Sequence, residues 1–136
     1  MAEIASIVYK PTKGQDATDV YLRLEVNEAT LIAGHGIEGD RKASRNRQLN
    51  VMSFETLSHL SGDGFQTLPG NMGEQIVIRQ LDVNALPLGA QLQLGAEAII
   101  ELFEARTGCA KFERVQGHLR GEVNGRLGMI DRKSVV

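Results

Sequence analysis

The feature that most constrains the fold of this chain is the frequency of glycine between short apolar runs. Of its 136 residues, 15 are glycine, against three prolines and no tryptophan. Glycines at this density between short apolar or alternating runs indicate tight turns that connect short strands. The sequence therefore predicts a mostly β protein, a sandwich or a barrel, with about two short helices.

Two segments near the N-terminus show the clearest strand patterns. Residues 3–10 are largely apolar on both faces, which predicts an interior strand. Residues 20–26 alternate between apolar and polar side chains, which predicts a half-buried strand. The turn residues Asn27 and Glu28 then predict a partner strand over residues 29–33.

The remaining chain predicts further strands and one defined helix. Strands are predicted over residues 49–52, 75–79, 91–94, 98–106 and 127–130. Ser53 is placed to begin a helix that ends at Gly62, with Leu57 and Leu60 on its buried side. A second short helix is predicted within residues 112–119. The alternation of strands and helices that is typical of a parallel sheet is not apparent.

The segment from residue 34 to residue 47 differs from the rest of the chain. It contains three glycines and four cationic side chains, and it has almost no hydrophobic period. This composition predicts a loop, and loops of this length in compact domains are functional or disordered. Two interpretations stay open, namely a site that binds an anion and a solvated surface.

Length and charge exclude several classes of protein. A chain of 136 residues predicts one domain over residues 1–136. The net charge of −2 and the pI of about 5.9 disfavour nucleic-acid binding, which usually needs a basic face. We expect no membrane span, because the apolar runs are short, and no signal peptide at the N-terminus. A single cysteine predicts a cytoplasmic location, where thiols stay reduced.

Cys109 is the one cysteine of the chain, so it cannot form an internal disulfide. It follows Gly108, which allows close approach of the backbone to a ligand. Arg106 and Lys111 lie near it in sequence, and positive charge favours the reactive thiolate form. Free cysteines often simply pack in a core, so a reactive thiol and a buried apolar side chain are both open interpretations.

Three separated segments together resemble one known domain. They read GIEGDRK at residues 36–42 followed by RQLNV at 47–51, then PGNMGEQIVI at 69–78, then LGAQLQLG at 88–95 followed by RTGCAKF at 106–112. In this order they resemble the MOSC domain, the C-terminal domain of molybdenum cofactor sulfurases. The domain also occurs in the mitochondrial amidoxime-reducing component and as small stand-alone bacterial proteins. The resemblance covers residues 4–130 and implies a closed or partly open β-barrel with a few short helices.

The sequence departs from the usual motifs of that family at three positions. Lys42 stands where the first motif often ends in His, and Gln75 stands where the second often has Asn. Gly108 occupies the position before the cysteine, which is often Pro. These substitutions bear on the specific activity more than on the fold.

The resemblance also implies a function and a set of site residues. It implies binding of the molybdenum cofactor (molybdopterin) or transport of sulfur, with Cys109 as both catalytic group and metal ligand. Cationic side chains suit the phosphate of a pterin cofactor. Those predicted to bind it are Arg41, Lys42, Arg45, Arg47, Arg106 and Lys111. Asn71 and Glu74 are predicted to contact the pterin edge, or alternatively only to shape a turn and orient a loop.

The resemblance further implies partners and a wider role. Some relatives reduce N-hydroxylated compounds, which implies a redox or sulfur-donor protein as partner. Pyridoxal phosphate, used by larger members, belongs to separate domains, and no lysine here stands out as its attachment point. The alternative function is a non-catalytic module that binds an anionic small molecule or a partner protein, with Cys109 packed in the core.

Overall fold

The structure, a computed structural model, describes residues 2–10, 23–32, 35–40, 49–123 and 125–135, with the backbone alone for residues 110, 111 and 131–135. The strands are β1 (Glu3–Tyr9), β2 (Leu24–Val26), β3 (Leu31–Ile32), β4 (Gly36–Ile37), β5 (Leu49–Ser53), β6 (Ile76–Arg79), β7 (Gln91–Leu94), β8 (Ala98–Ala105) and β9 (Met129–Val135). The α-helices are α1 (Phe54–Gly62) and α2 (Ala110–Gln116), and short 3-10 helices span Val83–Ala85 and Arg120–Val123.

Within these residues a mixed sheet of seven strands has the order β2-β1-β6-β5-β9-β8-β7, and β3 and β4 form a separate hairpin. Strands β5 and β6 are parallel, and α1 connects them. A parallel pair needs such a crossover, because a tight turn joins only antiparallel strands. The other pairings of this sheet are antiparallel, which agrees with the absence of a repeated strand–helix alternation in the sequence.

The sheet is not closed into a barrel by the described strands. Its two edges are β2 and β7, and the hydrogen-bonded order does not join them. A mostly β fold with a few short helices is confirmed, the closed barrel is not found, and a partly open barrel stays a prediction.

Two apolar clusters cover the two faces of the sheet, as the alternation of the central strands dictates. On β5, Val51 packs into one cluster and Met52 into the other. On β6, Ile76 packs into the first cluster and Val77 into the second. Because both faces are covered, the central strands are almost continuously apolar. The second cluster includes Leu57 and Leu60 of α1 together with Phe112 of α2, so the helices lie on that face.

Three local predictions need correction. The strand expected over residues 29–33 exists as β3, but it pairs with β4, while β2 pairs with β1. Residues 36–37, expected to be loop, form β4. Ser53 does precede α1, but its hydroxyl donates to the carbonyl of Leu81 and accepts from the amide of Val83, and it makes no cap hydrogen bond. A tertiary contact thus replaces the local one.

Candidate functional site

Cys109 is exposed, at the residue that precedes α2. Its backbone is extended (φ −138°, ψ 178°), and its carbonyl accepts a 3.1 Å hydrogen bond from the amide of Glu113. The interpretation in which this cysteine packs in the core is therefore wrong. An exposed thiol that begins a helix is available to a ligand or a partner.

Arg120 is the cationic residue that the structure places beside Cys109, and the sequence analysis did not predict it. Its Nε and Nη2 donate to the two carboxylate oxygens of Glu113 at 3.1 and 3.0 Å, and its amide donates at 2.8 Å. The side-chain hydrogen bonds from Arg120 lower the pKa of Glu113 to about 2. Hydrogen bonding to Glu113 likewise raises the pKa of Arg120, with a smaller contribution from the charge of Cys109.

Gly108 explains how Arg120 comes so close to the cysteine. A Cβ atom at Gly108 would lie 2.8 Å from Cβ of Arg120 and 3.2 Å from Cδ1 of Phe112. The first distance is shorter than a carbon–carbon contact allows, so only glycine fits there without a shift. No signal in the local sequence links Arg120 to this position.

Arg106 follows β8 and connects the cysteine segment to the second motif. Its amide donates a 3.0 Å hydrogen bond to the carbonyl of Gly128, and its Nη1 is buried. Its guanidinium lies close enough to Glu74 for its charge to oppose the rise in the pKa of that carboxyl. The structure thus brings together two of the residues predicted to form the site.

Glu74 is fully buried and organises the loop that precedes it. Its carboxylate accepts hydrogen bonds from the amides of Gly70 (2.9 Å) and Met72 (3.2 Å). Burial raises the pKa of Glu74, while these backbone hydrogen bonds and Arg106 oppose the rise. Asn71 shapes the same turn, because its Oδ1 accepts from the amide of Leu68 at 2.9 Å. The contacts of both residues match the alternative interpretation, in which they orient the loop.

A buried hydrogen-bond network joins the first two motifs. Oδ2 of Asp40 accepts from Nε2 of Gln75 at 3.0 Å, and Oδ1 accepts from the amide of Lys10 at 3.0 Å. Oε1 of Gln75 accepts from the amide of Asn50 at 2.7 Å, and Asn50 donates to the carbonyl of Gly73. Gln75, one of the departures from the family motif, therefore lies at the centre of the network.

Arg23 is a second residue that sequence analysis missed. Its side chain lies against Gly70, where a Cβ atom would be only 2.5 Å from Cδ of Arg23. Burial lowers the pKa of Arg23, and the charges of Glu74 and Asp40 oppose that change. Arg23 and Arg106 are thus two guanidinium groups near one buried carboxyl.

Several predicted site residues lie outside the described part of the chain. They are Arg41, Lys42, Arg45 and Arg47, and the side chain of Lys111 belongs with them. Their roles stay predictions. Arg41 directly follows Asp40, so the cationic segment begins at the buried network described above.

The described part of the chain contains neither a cluster of metal ligands nor a membrane-spanning helix. The described residues contain no group of three or more His, Cys, Asp or Glu side chains arranged to hold a metal ion. Neither α-helix among them is long and apolar enough to cross a membrane.

Comparison with solved structures identifies similar folds at low sequence identity. The YuaD protein from Bacillus subtilis superimposes with a TM-score of 0.76 and 14% identity, covering 98% of this chain and 88% of that one. YiiM from Escherichia coli gives a TM-score of 0.69 and 18% identity, covering 98% and 62%. A structure titled a hypothetical protein gives 0.71 and 19%, covering 98% and 61%. This chain therefore spans less than two thirds of the length of the latter two.

Sequence comparison gives one family assignment. A search of curated proteins finds no match. Residues 38–134 match the profile of the MOSC domain, a range that includes Asp40, Glu74, Gln75, Arg106 and Cys109. The structural neighbours share the fold, and the profile match covers well over half of the chain. The chain belongs to the MOSC domain family.

Proposed function

We propose that this domain binds a molybdenum cofactor or carries sulfur through Cys109. The observation that carries the proposal is the exposure of this thiol beside Arg120, in the segment that also supplies Arg106. A thiolate is a soft ligand and suits metals that prefer sulfur. It is also the nucleophile in thiol–persulfide exchange.

The described residues fit a cofactor of this kind. Cys109 would be the protein ligand to the metal, and Arg106 would meet the negative charge of the cofactor. Nη1 of Arg23 is buried, and none of the described groups accepts a hydrogen bond from it, so it would be available to donate to the cofactor. When bound, the cofactor would supply redox chemistry, and the protein would bind and orient it.

As a sulfur carrier, Cys109 would act by exchange without any cofactor. Its thiolate attacks the outer sulfur of a donor persulfide, the donor's S–S bond breaks, and a new S–S bond forms on Cys109. The donor leaves as a thiolate, so no external oxidant or reductant is needed. This chemistry requires access to Sγ, which agrees with the exposed position of the residue.

The remaining predicted site residues belong to this proposal. Arg41, Lys42, Arg45, Arg47 and Lys111 would bind the phosphate of the cofactor. Asn71 and Glu74 would act indirectly, because their described contacts hold the loop beside Arg106. A redox or sulfur-donor protein is the proposed partner, and a reducing cytoplasm is the proposed location, where an exposed thiol persists. Reductive detoxification of N-hydroxylated compounds is the proposed wider role.

Sulfur and molybdenum retention test the proposal. Wild type and Cys109→Ser are loaded with a low-molecular-weight persulfide, and intact mass spectrometry measures the added sulfur. The same proteins, purified from a host supplied with molybdenum, are assayed for metal content and absorbance. We expect retention in wild type and its loss in Cys109→Ser.

A matched control removes a hydroxyl from another exposed site. Ser58→Ala, on the outer side of α1, should retain as much sulfur or metal as wild type. Equal retention by Cys109→Ser and wild type in both assays would overturn the proposal. It would leave the alternative, a non-catalytic module that binds an anionic molecule or a partner protein.

A further inference from the structure

We infer that Arg23 is an oxyanion-binding residue of this domain, which takes a phosphate, sulfate or molybdate group, free or as part of a larger ligand. The inference rests on the proposed function, because it names the chemical group that the same site recognises. Nη1 of Arg23 is buried, and no hydrogen-bond acceptor reaches it in the structure of the described residues. Buried donors without a partner are rare in native proteins and call for an explanation.

The position of Arg23 is fixed by its aliphatic stem. A Cβ at Gly70 would lie 2.5, 3.1 and 3.3 Å from Cδ, Cβ and Cγ of Arg23, so the stem covers this glycine closely. Gly70 has a positive φ of 87°, and its amide donates to Oε2 of Glu74. The loop that contains Gly70, against which Arg23 packs, is therefore held in place by the buried carboxylate of Glu74. A side chain held in this way loses little conformational freedom when it binds a ligand.

The nearby carboxylates do not provide the missing acceptor. Glu74 accepts from the amides of Gly70 and Met72, and Asp40 accepts from Lys10 and Gln75. Both acids therefore lie near Arg23 with their oxygens engaged elsewhere. Their charges favour a protonated Arg23, against the effect of burial. The guanidinium thus keeps its charge and offers a donor that these acids do not occupy.

The chemistry of arginine determines the class of ligand. Its planar fork of N–H donors matches two oxygens of a tetrahedral oxyanion, and a partly buried site strengthens the interaction. Arg106 lies near the carboxyl of Glu74, as Arg23 does, and adds a second positive charge there. A neutral ligand would offer the Arg23 guanidinium no charge-assisted hydrogen bond, whereas an oxyanion would accept such bonds from it.

Anion titration of the intact protein tests the inference. Isothermal titration with inorganic phosphate, sulfate, molybdate and phenyl phosphate in a low-chloride buffer measures each affinity for wild type. We expect saturable binding that weakens about tenfold to a hundredfold in Arg23→Gln, the loss that accompanies one charge-assisted hydrogen bond. Tighter binding of phenyl phosphate than of phosphate would identify a phosphate ester as the natural group, and the reverse would identify a free oxyanion.

The control variant removes an equal charge from strand β6. Arg79→Gln breaks a surface ion pair with Glu3 and should bind anions as wild type does. Arg23→Met keeps the apolar stem over Gly70, so it should fold even if Arg23→Gln does not, and it should show the same loss of binding. A wild type without saturable anion binding, or an Arg23→Met variant that binds like wild type, would overturn the inference.

Failure of this inference is distinguishable from failure of the proposed function. Cys109→Ser should keep the wild-type affinity for phosphate and sulfate, because neither anion is a ligand of a thiolate, so these two anions report on Arg23 separately from Cys109. Arg23→Met should keep the accessible thiol and its exchange with a persulfide. Loss of sulfur retention alone therefore concerns Cys109, and loss of anion binding alone concerns Arg23.

Discussion

Nε2 of Gln75 donates a 3.0 Å hydrogen bond to Oδ2 of Asp40, across 35 residues of sequence, and both side chains are almost completely buried. Each residue also accepts from a backbone amide, of Lys10 in one case and of Asn50 in the other. The end of β1, the strand β5 and the start of β6 are therefore joined by polar contacts at the point where the cationic segment begins.

Removing the carboxylate of this network should destabilise the protein. Asp40→Ala leaves two buried donors without their acceptor, the amide of Lys10 and Nε2 of Gln75. Each orphaned donor costs about 1–3 kcal/mol, so the free energy of unfolding should fall by more than that of a surface variant. Urea denaturation measures the change. Asp82→Ala is the control, because its carboxylate accepts an exposed hydrogen bond from the amide of Asn84. Equal losses in the two variants would contradict the assigned role of Asp40.

The contact between Arg23 and Gly70 predicts a second difference in stability. Gly70→Ala introduces a Cβ atom 2.5 Å from Cδ of Arg23, at a positive φ of 87°. Gly89→Ala is matched, because Gly89 has a φ of 90° with nothing within 4 Å of the added atom. Both variants carry a backbone cost of about 1–2 kcal/mol, and Gly70→Ala carries a steric cost in addition.

A double variant isolates the steric part of that cost. Arg23→Ala combined with Gly70→Ala removes Cδ and Cγ of Arg23 and leaves only Cβ, at 3.1 Å, so Gly70→Ala should cost much less in this background than in wild type. Thermal unfolding of wild type, Arg23→Ala, Gly70→Ala and the double variant gives the coupling energy between positions 23 and 70. Additive effects would show that Arg23 does not press on Gly70 in solution.

Much of the fold could be predicted from the sequence, because local patterns determine it. The alternation of β7 and the apolar run of β6 correspond to observed strands, and the helix after Ser53 begins and ends where expected. The pairing of β3 was not predictable in this way. Asn27 and Glu28 permit a turn towards β2, but β3 pairs with β4, which lies in a segment whose glycines and cations predict a loop.

The site was less accessible to sequence analysis than the fold. Cys109, Arg106 and Glu74 carried local signals, since they lie in motif segments. Arg23 and Arg120 carried none, because their positions depend on Gly70 and Gly108, which are distant in sequence or lie in another element. The local sequence left the exposure of Cys109 open, because a lone cysteine near Arg106 and Lys111 is compatible with burial or with a reactive role.

The pair formed by Arg120 and Glu113 predicts a measurable pKa change near the cysteine. Hydrogen bonds from Arg120 lower the pKa of Glu113 from 4.5 to about 2. Because the folded value is depressed, the stability from this pair is present above pH 4.5 and is lost as the pH falls towards about 2. In Arg120→Gln the pKa of Glu113 should return towards 4.5, as followed by NMR of its side-chain carboxyl. Arg126→Gln, which breaks the surface pair with Asp63, should leave the pKa of Glu113 at about 2.

Crowding at Gly108 predicts an effect on the neighbouring 3-10 helix. Gly108→Ala places a Cβ atom 2.8 Å from Cβ of Arg120, so the Arg120–Val123 segment must shift. Gly121→Ala, inside that segment, adds the same methyl group with nothing within 4 Å. We expect amide chemical shifts of residues 109–123 to change widely in the first variant and only locally in the second. Similar spectra for the two variants would show that Arg120 does not crowd Gly108.

Burial of Glu74 predicts a pH dependence of stability opposite in sign to that of Glu113. Burial raises the pKa of Glu74 above 4.5, so the folded state binds this proton more tightly than the unfolded state does. The resulting stability is fully present below pH 4.5 and declines as the pH rises towards the raised pKa.

Glu74→Gln removes the titrating group, so the free energy of unfolding should decline less steeply above pH 4.5 than in wild type. The variant is also less stable overall, because one amide of the Gly70–Met72 turn loses its acceptor. Urea denaturation across this pH range separates the slope from the offset. Glu97→Gln, an exposed position that removes the same charge, should keep the wild-type slope. If Glu74→Gln also keeps that slope, the carboxyl of Glu74 is not desolvated in solution.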